Sequence, residues 1–375
     1  MPEPSCARLS DVLALVEPRL GGAVLDAAGR AALRYVADHI PARLSQFWGF
    51  EVRLDDPAPR ADLLWEVTQG SHGIPTLAGR NPHDPAPGVT GALRGRSPFW
   101  RDLGRFAAEW LDDPGWLRRL GNIWMEVDVG SSDAALDAQL DRPSLFWGPS
   151  RKMPGTDRDL AGHLAELGRR FYGLEMDQKR IDAITDAVPE EGTLFQMGVM
   201  GARAAPTARL CVKDLNREAK EHWLEAIRWP GNKARLRCTL ASMAPLCGKI
   251  ALNVDVLQNA VRPKLGLEIY STERALTMEP WRPILDALLA QGLVHRDKVA
   301  ALAAFPSFRR FRQIGAWKRN PPLGHPVLAT NMHHLKLVFD GEVVTEAKAY
   351  LGVFRPVFDY APTRGHEMEG GGGWL

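Results

Sequence analysis

His334-Leu335-Lys336-Leu337-Val338-Phe339-Asp340, the hairpin signal Gly341-Glu342, and residues 347–354 (AKAYLGVF) form the stretch on which the fold turns. Its apolar side chains recur with period two. His334 and Lys336 share one face, and Leu335, Leu337 and Phe339 take the other. Lys348 and Tyr350 oppose Ala349, Leu351 and Val353 in the same way. Each half therefore reads as a β-strand with one polar and one apolar face, and the short connection makes the two an antiparallel hairpin.

Working outward, strand pairs of the same type recur upstream. They lie at residues 50–54 and 61–68, 122–129 and 144–148, 194–201 and 209–215, and 249–257 and 264–271. Between pairs run stretches with helical periodicity: 9–20, 27–47, 98–120, 156–172, 177–187, 216–227, 234–244, 281–291 and 296–304. Residues 69–97, rich in Gly and Pro, read as a long loop or lid. Ten strands in an open sheet would leave edges, whereas closure removes them. The expected fold class is therefore α+β: a ten-stranded antiparallel β-barrel surrounded by α-helices, built from five ααββ units. A barrel of that width need not be filled by side chains and has room for a ligand.

The alternation also says which face is wet. Arg209, Cys211 and Lys213 share one face of their strand; so do Asn253 and Asp255, Glu268 and Tyr270, and Trp124, Glu126 and Asp128. The apolar faces pack on the amphipathic helices, which leaves the polar rows to line a lumen or meet bulk water.

Composition narrows the class further. The chain has 375 residues, 45% hydrophobic and 25% charged, with a net charge of +2, so a nucleic-acid coat or a polybasic membrane anchor is not expected. No run reaches the ~18 apolar residues of a membrane span. Met1-Pro2-Glu3-Pro4 carries an acid where a secretory signal wants cations. With four widely spaced cysteines and no CxxC, the expected setting is cytoplasmic. P-loop, GxGxxG, GxSxG and HExxH patterns are absent. His333 and His334 are strand neighbours, expected to point to opposite faces and so not to share an ion. Phe308-Arg309-Arg310-Phe311-Arg312 and Trp317-Lys318-Arg319 mix aromatics with bases; a solvated helix end is favoured over a grip on RNA or peptide. The expected organisation is a helical segment at 1–26, one barrel domain at 27–360 and a disordered Gly-rich tail at 361–375.

In element order and strand character the chain resembles the ABBA-type prenyltransferases (PT barrels), including the peptide-modifying cyanobactin branch. The most specific local match is Lys348-Ala349-Tyr350, a Lys-x-Tyr on a late strand. The resemblance implies that Lys348 and Tyr350 bind a prenyl diphosphate, that Lys213 and Lys336 are lumen-facing bases, and that Glu126 helps to deprotonate the acceptor. The chain departs from the family's pattern at Glu268, where a basic residue is usual, and its row also holds Glu66, Asp128 and Asp255.

Prenyl transfer needs cations on the leaving diphosphate, aromatic faces around the allylic cation and a base at the acceptor. The residues suited to these tasks are Arg209, Lys213, Lys336, Lys348 and Tyr350 for the diphosphate; Trp65, Trp124 and Tyr270 as the cation shield; and Glu126 as the base. Asp128 and Asp255 are candidate ligands for Mg²⁺ bridging to the diphosphate. No organic cofactor is expected. The partners are then a prenyl diphosphate and a peptide or small aromatic acceptor, with no nucleic acid and no membrane. Two other readings stay open: a non-catalytic peptide- or lipid-binding accessory protein of a biosynthetic pathway, and a different metal- or carboxylate-dependent enzyme in a similar barrel.

Overall fold

The computed structural model describes residues 7–113, 115–129, 133–150, 156–201, 207–258, 260–273, 277–310 and 327–354. Its strands, in chain order, are β1 (Phe47–Arg53), β2 (Ala61–Thr68), β3 (Leu120–Val127), β4 (Ser144–Pro149), β5 (Thr193–Val199), β6 (Ala208–Lys213), β7 (Lys249–Val256), β8 (Val261–Tyr270), β9 (Ser307–Arg310), β10 (Val327–Phe339) and β11 (Val344–Phe354). Neighbours pair antiparallel from β1 round to β8, then β10 and β11, and β11 pairs back onto β1. The result is a closed ten-stranded antiparallel barrel with helices around it. The seam runs from Phe47 opposite Phe354 to Arg53 opposite Lys348. β9 stands outside the ring, paired with the first four residues of β10.

Period-two alternation builds the wall. Trp48, Phe50 and Val52 of β1, Leu63, Trp65 and Val67 of β2, and Leu252 and Val254 of β7 all face outward into one apolar layer shared with the helices. The helix Pro98–Asp112 shows how that layer forms. The Ser97 side chain accepts from the Trp100 N–H at its start, and Phe99, Trp100, Leu103, Phe106 and Trp110 form one buried stripe. Trp100 stacks on Trp65 at 6.5 Å between ring centres and donates to the Leu140 carbonyl at 2.7 Å. The helix Leu9–Val16 adds Leu9, Val12, Leu13 and Val16 to the same layer. At about 1.5–3 kcal/mol for each large side chain buried, this jacket supplies the main stabilisation of the barrel.

Three local expectations need correction. Residues 69–97 are not one loop: they contain the helices Gly73–Ala78 and Pro87–Arg96. Gly79, in the left-handed region, ends the first, and Pro87, with its fixed φ, starts the second. A further helix, Asp133–Asp141, joins β3 to β4 where only a polar segment is expected. Residues 307–310 are a strand rather than a helix end, because the start of β10 offers them a free edge. The remainder of that basic–aromatic stretch, within 311–326, lies outside the described residues, as does the Gly-rich tail. Among the described residues, no helix is long and apolar enough to cross a membrane.

Candidate functional site

The polar rows face the lumen. Register sets two of them side by side across the closing strands. One row runs Glu268 (β8), Lys336 (β10), Lys348 (β11), Arg53 (β1). The next runs His334 (β10), Tyr350 (β11), Glu51 (β1), Asp62 (β2). From the opposite wall come Arg209 and Asp255, neighbours on β6 and β7. A small recess lies between them, lined by Arg209, Asp255, Lys336, Lys348, Glu51, Glu126 and Tyr350, with Lys264, Gly266 and Val338.

Carboxylates accompany the cations throughout. Asp255 accepts from Arg209 Nε at 2.7 Å and from Nη2 at 3.1 Å. Lys348 Nζ reaches Glu51 at 2.6 Å and Glu346 at 3.4 Å. Lys336 Nζ lies 3.6 Å from Glu268. Tyr350 donates to Glu51, and Tyr270 donates to Glu268 at 2.8 Å. These partners set the protonation states. Burial pushes Glu51 up, but Lys348 and the hydrogen bonds from Lys348 and Tyr350 outweigh it and hold the carboxyl at about 2. Burial, reinforced by Glu51 and Asp128, raises the neighbouring Asp62 to about 7 against the pull of Arg53. Burial, with Arg209 nearby, lowers Lys336. Burial opposes charging at Lys348 too, yet Glu51 and Glu346 carry it above its ordinary value. His334 is pushed well down, by burial first and by Lys336 second, so the imidazole is neutral.

Another part of the lumen is apolar. Phe47, Leu64, Trp124, Phe146 and Met200 form a second cluster, separate from the outer layer, with Tyr350 and Phe354 packed against it. Phe47 meets Trp124 edge-on at 5.2 Å and Phe354 at 4.2 Å. Tyr350 thus belongs to both regions: its hydroxyl is on Glu51, its ring touches the aromatic cluster, and Lys336 Nζ lies 5.9 Å from the ring centre.

The structure brings Glu126, Arg209, Lys336, Lys348 and Tyr350 to the recess and places Trp124 in the aromatic cluster. Trp65 is a correction. It alternates with Leu64 and Glu66, so its ring points outward onto Trp100 and shields nothing in the lumen. Lys213 is a second: at the end of β6 it lies 3.9 Å from Asp214 and 5.6 Å over the Phe195 ring, and does not line the recess. Tyr270 stands apart from the aromatic cluster, beside Glu268 and with Lys249 Nζ 5.3 Å over its ring. The Mg²⁺ pair also parts. Asp255 is engaged on both oxygens by Arg209, whereas Asp128 lies within electrostatic reach of Arg53 and Asp62 and does not line the recess. Among the described residues, no group of three or more His, Cys, Asp or Glu is placed to hold a metal ion.

His333 and His334 break the simple alternation. A bulge between Met332 and His334 turns both rings to one side, with their Nδ1 atoms 2.6 Å apart. Sequence reasoning also passes over Glu51 and Asp62, the two carboxyls most strongly perturbed beside Lys348. The signal is present in Glu51-Val52-Arg53 and Asp62-Leu63-Leu64-Trp65-Glu66, which alternate as Glu126 and Asp128 do. Phe47 is missed because it reads as the end of a helix rather than the first residue of β1. The fold and lumen define an α+β barrel with a charged, partly aromatic interior. No family model matches the chain, and no curated protein matches it in sequence.

Proposed function

We propose that the barrel is a transferase that moves an isoprenoid from its diphosphate to an electron-rich acceptor, a peptide side chain or a small aromatic. The observation that carries this reading is the division of the lumen: Arg209, Lys336 and Lys348 converge on one recess, an aromatic cluster stands beside it, and Tyr350 touches both. That arrangement suits a ligand with a polyanionic head and an apolar tail. The bond between the allylic carbon and the diphosphate oxygen breaks, the electron pair leaves with the diphosphate, and the three cations take up the charge. Trp124, Phe47, Phe146 and Tyr350 face the allylic cation, each ring worth ~0.5–2 kcal/mol of attraction. As the new bond forms, the acceptor's proton passes to Glu126, which lines the same recess.

The diphosphate must compete with Asp255, Glu268 and Glu51, which already hold the cations. Asp128 and Asp255 do not fit a shared Mg²⁺, so no step passes through a metal ion. The free thiols Cys211, Cys238 and Cys247 support a reducing, cytoplasmic setting.

One observation favours a second reading, carboxylate acid–base catalysis in the same barrel. Glu51 and Asp62 stand opposite each other with their proton affinities pushed apart, the pattern expected of an acid–base pair. Incubation with dimethylallyl, geranyl or farnesyl diphosphate and a panel of peptides and aromatics, followed by mass spectrometry, tests the first reading. A mass gain on an acceptor, lost in Lys348→Ala, supports it. No product, together with no calorimetric binding of a thio-diphosphate analogue, overturns it in favour of the second.

A further inference from the structure

Asn253 sits on β7 facing the lumen, between Cys211 of β6 and Gly266 of β8, two register positions along from the Arg209–Asp255 ion pair. Only 1% of it is exposed, and neither its amide nitrogen nor its amide oxygen has a hydrogen-bond partner. A buried amide with both ends unpaired is costly, and the arrangement makes sense where a bound molecule supplies the partners.

Gly266 connects this amide with the recess. It lines the recess, and a Cβ there would lie 2.6 Å from Lys336 Cε and 2.8 Å from Asn253 Oδ1. The absent side chain lets Lys336 and Asn253 close over the Gly266 backbone, so the amide lies just behind the recess wall and a ligand reaches it when the Lys336 chain moves aside.

We propose that Asn253 is the acceptor-recognition residue of the chamber and that the acceptor carries an amide edge, an adjacent N–H and C=O such as a primary carboxamide or lactam. Asn253 Nδ2 donates to that carbonyl and Oδ1 accepts from that N–H. A diphosphate does not meet the requirement, because its oxygens only accept and would leave Oδ1 unpaired. A guanidinium or ammonium only donates and fails at the other end. The assignment of this group to the acceptor rests on the transferase reading; the amide subsite itself does not.

The test is calorimetry with N-acetyltryptophanamide and with N-acetyltryptophan methyl ester, in the absence of any diphosphate. The wild-type protein is expected to bind the amide about tenfold or more tighter than the ester, the net worth of one neutral hydrogen bond. Asn253→Leu is expected to erase that preference while its melting temperature stays level or rises, since an unpaired polar group has been removed. Equal binding of amide and ester by the wild type overturns the proposal, and needs no variant. So does a fall in melting temperature in Asn253→Leu, which marks an amide satisfied by buried water. Amide preference without any thio-diphosphate binding leaves the subsite standing and removes the prenyl reading.

Discussion

Lys336 and Lys348 stand directly opposite each other across the β10–β11 hairpin, both on the lumen face and both buried. Like charges in that position repel. The structure answers with Glu268 beside Lys336 and with Glu51 and Glu346 beside Lys348. The answer is uneven. Lys348 holds its proton more tightly than a free lysine, and Lys336 holds its proton less tightly. A polyanion entering between the two ammonium groups relieves this conflict, which is the physical reason for looking there for a ligand.

The Lys348–Glu51 pair is expected to be indispensable as a pair and not as individuals. Lys348→Met leaves Glu51 buried with the Tyr350 hydroxyl and the more distant Lys336 to offset its charge, and breaking a buried pair in this way costs about 3–5 kcal/mol. The double variant Glu51→Gln/Lys348→Met is expected to recover most of that loss, because no uncompensated charge is left behind. Urea unfolding of the two single variants and the double measures the coupling. Losses that simply add would show the two side chains to be independent in the folded protein.

Asp62 is expected to make the protein less stable at alkaline pH. Its folded value, about 7, lies above the ordinary 3.8, so the folded state holds the proton more tightly than the unfolded chain does. Stability from that proton is present below about pH 4 and is lost as pH rises through about 7. Glu51 has the opposite sign: held at about 2 against 4.5, it stabilises above about pH 4.5, and that contribution goes as pH falls through about 2. Asp62→Asn is therefore expected to gain on the wild type in urea midpoint between about pH 5 and about pH 8. A constant difference across that range would show that Asp62 titrates normally.

The barrel was legible in the sequence because its wall repeats a simple rule. Leu335, Leu337 and Phe339 must be covered, Lys336 must not be, and the same rule holds on nearly every strand. The site was only partly legible, since alternation assigns a face and says nothing about height within the barrel or about the partner across it. Arg209 and Lys213 share a face, yet only Arg209 reaches the recess; two further steps of two residues carry Lys213 to the end of β6 and Asp214. The bulge at His333 is invisible for a related reason. It is a register fault between two strands, and a single strand's pattern does not contain it.

Trp65 and Trp124 are expected to separate wall from chamber. Trp65→Ala removes the outward ring from its stack with Trp100, and large-to-small changes of this kind cost about 3–5 kcal/mol. Binding of a thio-diphosphate analogue by the protein that remains folded is expected to be unchanged. Trp124→Ala instead enlarges the aromatic end of the lumen and is expected to shift preference toward longer isoprenoid tails. Thermal unfolding and calorimetry with analogues of two chain lengths give both readouts. A binding loss in Trp65→Ala equal to that in Trp124→Ala would place the chamber elsewhere.

Closure depends on the seam between β1 and β11, which joins residues about 300 apart in the chain, and two glycines face each other there, Gly49 and Gly352. A Cβ on Gly49 would run into the Leu351 carbonyl oxygen, and one on Gly352 would press on the Phe47 and Phe354 rings. Gly49→Ala is therefore expected to cost about 1–3 kcal/mol or more, as overpacking does, with the strain falling on the hydrogen bonds that close the ring. Gly91→Ala is the matched control. It lies exposed in the helix Pro87–Arg96 with nothing within 4 Å of its added methyl, and is expected to gain about 0.5–1 kcal/mol from helix propensity alone. Hydrogen exchange on the two variants localises the effect. Faster exchange confined to β1 and β11 in Gly49→Ala identifies the seam as the element that opens first, and uniform exchange across all ten strands would show instead that the ring opens as one cooperative unit.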